Sequence, residues 1–290
     1  MNKLLNFPSL TNFLNFIKFE HSIFALPFAL SGALLASESS LPNISTILWV
    51  ILAMVAGRSL AMSLNRIIDK DIDLKNPRTK DREIPQGKLT LNQAILFSVA
   101  SLLVFIFAAL QLPRICLYLL PVASIWFYIY PFTKRITTLS HLWLGIALGA
   151  SVLAGWLAVG GQIDSIIPYI LGSAVAFWVA GFDIIYACQD YDFDRQNNLH
   201  SIPAKFGIKT ALTISRTFHI LTIVLLIILG ILIQASIIYW FCVIFVLGML
   251  FYEQSLVKPN DLTKVNMAFF TINGWISIGF FIFIVIEKII

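Results

Sequence analysis

Five stretches of this chain, residues 89–113, 115–133, 136–163, 165–182 and 265–286, contain no Asp, Glu, Lys or Arg. A helix crossing the hydrocarbon of a bilayer needs about 20 mostly apolar residues. Inside that layer every backbone N–H and C=O must be satisfied within the segment itself. A chain built from such runs can fold as a bundle of membrane helices and as little else. Further runs extend the pattern: 22–37, 39–65 broken only by Arg58, and 217–252. The last is too long for one crossing, and Gln234, Ala235 and Ser236 mark a turn inside it. Nine spans follow, at about 20–37, 46–68, 90–111, 115–131, 139–159, 166–188, 210–232, 236–252 and 267–286. The expected fold is an all-α integral membrane protein. Charged residues make up 12% of the chain, against roughly 25% in soluble domains.

Orientation follows from the basic residues. With the N-terminus in the cytoplasm, seventeen of the 20 Lys and Arg fall on the cytoplasmic side. Seven of them, Arg66, Lys70, Lys75, Arg78, Lys80, Arg82 and Lys88, sit in the loop after the second span. Only Arg114 and Lys288 fall outside, and Arg58 lies within a span. This bias obeys the positive-inside rule, and one span more or fewer would send basic loops to the wrong face. The net charge of +5 is therefore a feature of topology and calls for no nucleic-acid partner. The stretch Asn2–Phe19 is polar and mixed, so no cleavable signal is expected. Cys116, Cys188 and Cys242 show no metal spacing and read as buried thiols.

Two acidic segments carry the chemistry. The first is Asn65-x-x-x-Asp69-x-x-x-Asp73. At 100° per residue, positions i, i+4 and i+8 drift by about 40° per step, so the three side chains line one face of a helix end. Arg58, seven residues earlier, falls within about 20° of Asn65. The second segment contains Asp190 and Asp194, again i and i+4, with Asp183 seven residues before Asp190 and Tyr186 beside it. Carboxylates stacked this closely repel one another unless cations are near. Hard oxygen ligands in pairs suit Mg²⁺, which keeps waters and bridges to phosphate. The same loops hold Lys75, Arg78, Arg82 and Lys205. Acids with interleaved bases describe a Mg²⁺–diphosphate site at the membrane surface. The bland account is a solvated loop that anchors topology. Two carboxylate stripes on one side, with Asp183 and Arg58 inside spans, argue against it.

These residues resemble the UbiA superfamily of intramembrane prenyltransferases. Asn65, Asp69 and Asp73 match the family's first motif, and the Asn76–Thr79 stretch "NPRT" with Arg82 matches the basic segment after it. Asp190 and Asp194 match the second motif, and "YPFTKR" at 130–135 resembles a third segment. The similarity covers nearly the whole chain and implies a single prenyltransferase domain over 1–290, with Asp-rich loops at about 65–88 and 183–209. It implies nine helices around a central cavity open to the cytoplasmic face of a bacterial inner membrane. It also implies transfer of a polyprenyl group from an allylic diphosphate to an aromatic acceptor. Mg²⁺ would be held by Asp69, Asp73, Asp190 and Asp194, and the diphosphate by Arg78, Arg82 and Lys205. An aromatic carboxylate, 4-hydroxybenzoate in the quinone branch, would be met by Arg135, with Arg58 as a second possibility and Asn65 nearby. Asp183 would orient the acceptor or take the ring proton. Tyr186 and Tyr128 are candidate aromatic walls for the allylic cation.

The chain departs from the 4-hydroxybenzoate pattern in places. "NRIID" lacks the Asp that often follows Asn, and "KFEHSIFALP" lacks the more basic entry. "CQDYDFDRQNNLHSIPAKFG" resembles members tied to naphthoates, which makes dihydroxynaphthoate the alternative acceptor. Two other classes compete. A transporter using Asp183 and Arg58 predicts an inverted repeat, and none is visible. A scaffold predicts that Asp69 and Asp190 tolerate replacement. His21, His141, His200 and His219 have no ligand spacing. Gly145-x-x-x-Gly149 reads as a close-packing element.

Overall fold

The computed structural model describes residues 10–18, 24–37 and 41–290. Lys3 and His21 lie outside them. Thirteen α-helices are present among the described residues: α1 (Leu10–Phe16), α2 (Leu26–Ala36), α3 (Ile44–Ile68), α4 (Lys70–Lys75), α5 (Leu91–Leu110), α6 (Arg114–Ile136), α7 (Ser140–Ala158), α8 (Ile167–Ala187), α9 (Tyr191–Gln196), α10 (Ile202–Phe206), α11 (Ile208–Leu232), α12 (Ile237–Leu256) and α13 (Asn273–Ile289). A 3₁₀ turn, Cys188–Asp190, joins α8 to α9, and a π-helical turn, Met267–Ile272, leads into α13. Eight segments are long and apolar enough to cross a membrane: α3, α5, α6, α7, Ile167–Gln196, α11, α12 and Met267–Ile289. The expected first span, 20–37, is represented by the 11 residues of α2, and the stretch 19–23 before it is outside the described residues.

The boundaries have local causes. Thr90 and Gln93 cap each other's backbone at the start of α5: the Gln93 N–H donates to Thr90 Oγ1 at 3.3 Å and the Thr90 N–H to Gln93 Oε1 at 2.9 Å. The long apolar run 217–252 breaks where expected. Gln234 takes a left-handed φ of 50°, and Ser236 caps α12 by accepting the Ile238 N–H at 3.2 Å. Many large apolar side chains point outward, including Leu96, Leu103, Val122, Ile244 and Phe251, as lipid-facing surfaces require.

Packing against the site is set by α7 and α8. They run antiparallel, so the first turn of α7 lies beside the last turns of α8. A Cβ on Gly145 would stand 2.2 Å from the Ala176 carbonyl oxygen, and one on Gly149 2.2 Å from that of Gly172. The two backbones are in direct contact, which is how small residues drive helix association in lipid. Behind α8, Trp178 packs against Phe28 at 5.0 Å and Phe182 at 5.1 Å between ring centroids. The π-turn frees backbone carbonyls, and the Asn273 side chain collects them: its Nδ2 donates to Ala268 O at 2.9 Å and Phe269 O at 3.2 Å. The same amide donates to Glu253 Oε1 at 3.1 Å, while its Oδ1 accepts the Trp178 indole N–H at 2.7 Å. This turn carries Phe269 onto Tyr186, with ring centroids 4.1 Å apart.

Candidate active site

The first acidic stripe forms because the helix does not end at Ile68. The Asp69 N–H donates to Asn65 O at 3.0 Å and the Asp73 N–H to Asp69 O at 2.8 Å. The i, i+4 register therefore runs through α3 into α4. Asn76 then turns extended ahead of Pro77 (ψ 121°) and stops α4. Its Oδ1 accepts the Arg78 backbone N–H at 2.9 Å, an Asx turn that folds the basic segment back over the acids. Arg82 Nη1 reaches both Asp73 carboxylate oxygens at 2.8 Å. Asp69 is held by Lys134 Nζ at 2.7 Å, Arg135 Nη2 at 2.9 Å and the Asn65 amide at 3.3 Å.

The second stripe comes from α8, the 3₁₀ turn and α9. Arg78 joins the two stripes. Its Nε donates to Asp190 Oδ1 at 2.9 Å, its Nη2 to Asp190 Oδ2 at 2.5 Å and its Nη1 to the Tyr186 hydroxyl at 3.0 Å. Asn76 Nδ2 adds a bond to Asp190 at 3.0 Å. Burial disfavours the Arg78 charge, but the Asp190 hydrogen bonds outweigh it and hold the guanidinium above its usual pKa.

Both stripes open into one cavity of about 190 Å³. Asp69, Asp73, Asp183, Asp190 and Asp194 line it with Arg78, Arg82 and Lys134. Five carboxylates against three cations leave an excess of negative charge, with oxygen donors only on the acidic side. Among the described residues no three His, Cys, Asp or Glu side chains converge into a ready-made metal centre, and Asp69, Asp73 and Asp190 are each turned to a cation. Asn65, Tyr130, His141 and Tyr186 are among the other polar residues of the lining.

The structure departs from the sequence expectations at four positions. Lys205 is exposed, its ammonium 5.3 Å above the Phe206 ring, and does not line the cavity. Arg135 is turned onto Asp69 and the Ile68 carbonyl (3.0 Å), while its neighbour Lys134 lines the cavity. Arg58 shares the azimuth of Asn65 but is not part of the lining. Tyr128 is 54% exposed, and Tyr130 takes the inward position. His141, which has no partner within reach in sequence, meets Asp183 at 2.7 Å. Its one sequence signal is its place in the first turn of a span at the charged face.

A bundle of membrane-length helices with a charged, acid-rich cavity defines a polytopic membrane protein. The sequence profile of the UbiA prenyltransferase family matches residues 25–277, and the chain belongs to that family. It is a prenyltransferase. A relative from Francisella tularensis subsp. tularensis, a 4-hydroxybenzoate octaprenyltransferase, is 31% identical over 260 residues, 89% of this chain and 88% of its own. The apo structure of a UbiA homolog from Aeropyrum pernix K1 superposes with a TM-score of 0.84 at 32% identity, over 92% of this chain and 98% of that one. A UbiA homolog from Archaeoglobus fulgidus, solved bound to DMAPP and Mg²⁺, shares the fold at 18% identity with a TM-score of 0.78, over 96% and 99% of the two chains.

Proposed function

We propose that this protein catalyses Mg²⁺-dependent transfer of a polyprenyl group from an allylic polyprenyl diphosphate to a ring carbon of 4-hydroxybenzoate, in respiratory quinone assembly. The observation that carries the reading is Arg78, from the segment after the first stripe, bound to Asp190 of the second, so that the carboxylates of both stripes face one cavity. The Francisella relative's name supports the acceptor. The reading takes 1–290 as one domain in the inner membrane, with the N-terminus and the cavity mouth on the cytoplasmic side, where the basic loops favour it.

The donor set fits Mg²⁺. The lining offers oxygen ligands in acid excess, and Mg²⁺ takes one or two carboxylates plus waters and phosphate rather than an all-protein cage. Asp69, Asp73, Asp190 and Asp194 would hold it, and when bound it would neutralise the departing diphosphate. Arg78, Arg82 and Lys134 already sit on those acids. An incoming diphosphate gives each of them another anion, so partners exchange without stranding a buried charge. Tyr186, braced by Phe269, offers a π face to the allylic cation. For the acceptor carboxylate the cavity offers Lys134 and the Asn65 amide.

The test is direct. Membranes containing the protein are incubated with Mg²⁺, a long-chain allylic diphosphate and ring-labelled 4-hydroxybenzoate. Label is expected in the lipid extract. Transfer to dihydroxynaphthoate instead would replace the acceptor, and no transfer to either would refute the reading.

A further inference from the structure

Asp183 differs from the three ion-paired acids of the cavity. Asp69, Asp73 and Asp190 are each bound by Lys or Arg, whereas Asp183 Oδ2 meets His141 Nδ1 at 2.7 Å. The other ring nitrogen, Nε2, is approached by the Ile202 backbone N–H at 3.4 Å. A backbone N–H can only donate, so Nε2 is the acceptor and the proton of the neutral imidazole sits on Nδ1. Asp183 Oδ2 is thereby the acceptor of that bond. His141 is 4% exposed at its side chain and Asp183 20%, and both line the cavity, the carboxylate being the more accessible of the two. Seven residues of helix separate Asp183 from Asp190, about 10 Å along the axis. An acid placed inward of the diphosphate-facing carboxylates by that distance lies where the acceptor ring, rather than the leaving group, has room.

Resting on the reading above, we propose that Asp183 is the base that removes the ring proton and that His141 is its positioning residue. The allylic C–O bond breaks with its electron pair leaving on the diphosphate. A C–C bond forms to the ring carbon, and the resulting ring cation gives its proton to Asp183, restoring aromaticity. A carboxylate fixed beside the ring takes the proton directly, without a solvent molecule having to be positioned for it. Without a fixed base the ring cation collapses back to the allylic pair. His141 donates to Oδ2 and so aims Oδ1 at the ring.

The experiment compares His141→Asn, His141→Gln and Asp183→Asn with the wild-type enzyme, using 4-hydroxybenzoate deuterated at the reacting ring positions. Asn places an amide N–H where Nδ1 stood; Gln places it at Nε2. A positioned base contributes roughly 10²–10⁴-fold. His141→Gln and Asp183→Asn are expected to lose kcat on that scale and to show a ring-deuterium isotope effect larger than wild type. His141→Asn should recover most of the rate. Affinity for Mg²⁺ with a non-hydrolysable prenyl diphosphate analogue should stay unchanged in all three. An active wild type whose variants show no rise in isotope effect overturns the inference alone, as does equal loss in the Asn and Gln variants. A wild type inactive with both acceptors overturns the parent reading and this inference with it.

Discussion

Gly145→Ala tests whether backbone contact between α7 and α8 sets the site. The added Cβ would lie 2.2 Å from the Ala176 carbonyl oxygen, and ordinary contact begins at 3.4 Å. The obstacle is backbone, so no side chain can swing aside, and the helices must part. Overpacking of this kind typically costs about 1–3 kcal/mol. For a chain of this size that corresponds to a fall in melting temperature of roughly 2–5 °C. Gly145 lies one turn beyond His141. If the start of α7 moves with it, the 2.7 Å His141–Asp183 bond stretches to about 3.9 Å, past hydrogen-bond range. Stability and kcat should therefore fall together. The control is Gly248→Ala on α12, whose Cβ meets nothing within 4 Å; with the helix propensity of Ala it should be neutral or slightly stabilising. Thermal unfolding in detergent and turnover in the same micelles read both effects. Equal melting temperature and activity for the two variants would refute the reasoning.

Asp69→Ala and Asp190→Ala should each lower turnover by about 10²–10³-fold or more while leaving membrane expression intact, as measured by blot and lipid-product assay. Excess chelator should stop the reaction and Mn²⁺ should restore it, because Mn²⁺ accepts the same oxygen ligands; full activity in chelator would contradict the metal assignment. Asn273→Ala leaves the Trp178 indole N–H and Glu253 Oε1 buried without the partner they have now. At about 1–3 kcal/mol per orphaned group, and less where the unfolded chain in lipid finds substitutes, the loss should be about 2 kcal/mol, visible as a lower melting temperature.

Much of this molecule was legible because lipid imposes a simple rule. Charge-free runs of membrane length became α5, α6, α7, α8 and Met267–Ile289, and the turn at Gln234 divided the longest run. The acidic stripes were legible because i, i+4 spacing survives whether or not a helix is formally continuous, and here it runs through the breaks at Asp69 and Asp190. Charge counts in loops were less informative. Lys134 and Arg135 are adjacent in sequence, yet only Lys134 lines the cavity, and Lys205 turns away altogether. A long side chain's direction depends on which anion lies within reach, and that is a tertiary fact. Arg58 failed for another reason: azimuth on a helix says nothing of how deep a cavity extends. His141 and Asp183 are 42 residues apart, and the packing of α7 on α8, closest at Gly145 and Gly149, brings them together.

The charges of this apolar chain can be understood as an exchange. Buried carboxylates left alone would be costly, and buried ion pairs by themselves add little to stability. A site of paired acids and bases is stable on its own because three of its acids already have a cation: Arg82 on Asp73, Arg78 on Asp190, Lys134 on Asp69. It can receive an anion with its own metal because both halves of each pair then find a replacement. An acid whose partner is a neutral imidazole takes no part in that exchange. Asp183 shares no Lys or Arg with a diphosphate, and a base acting after the leaving group has gone needs that independence.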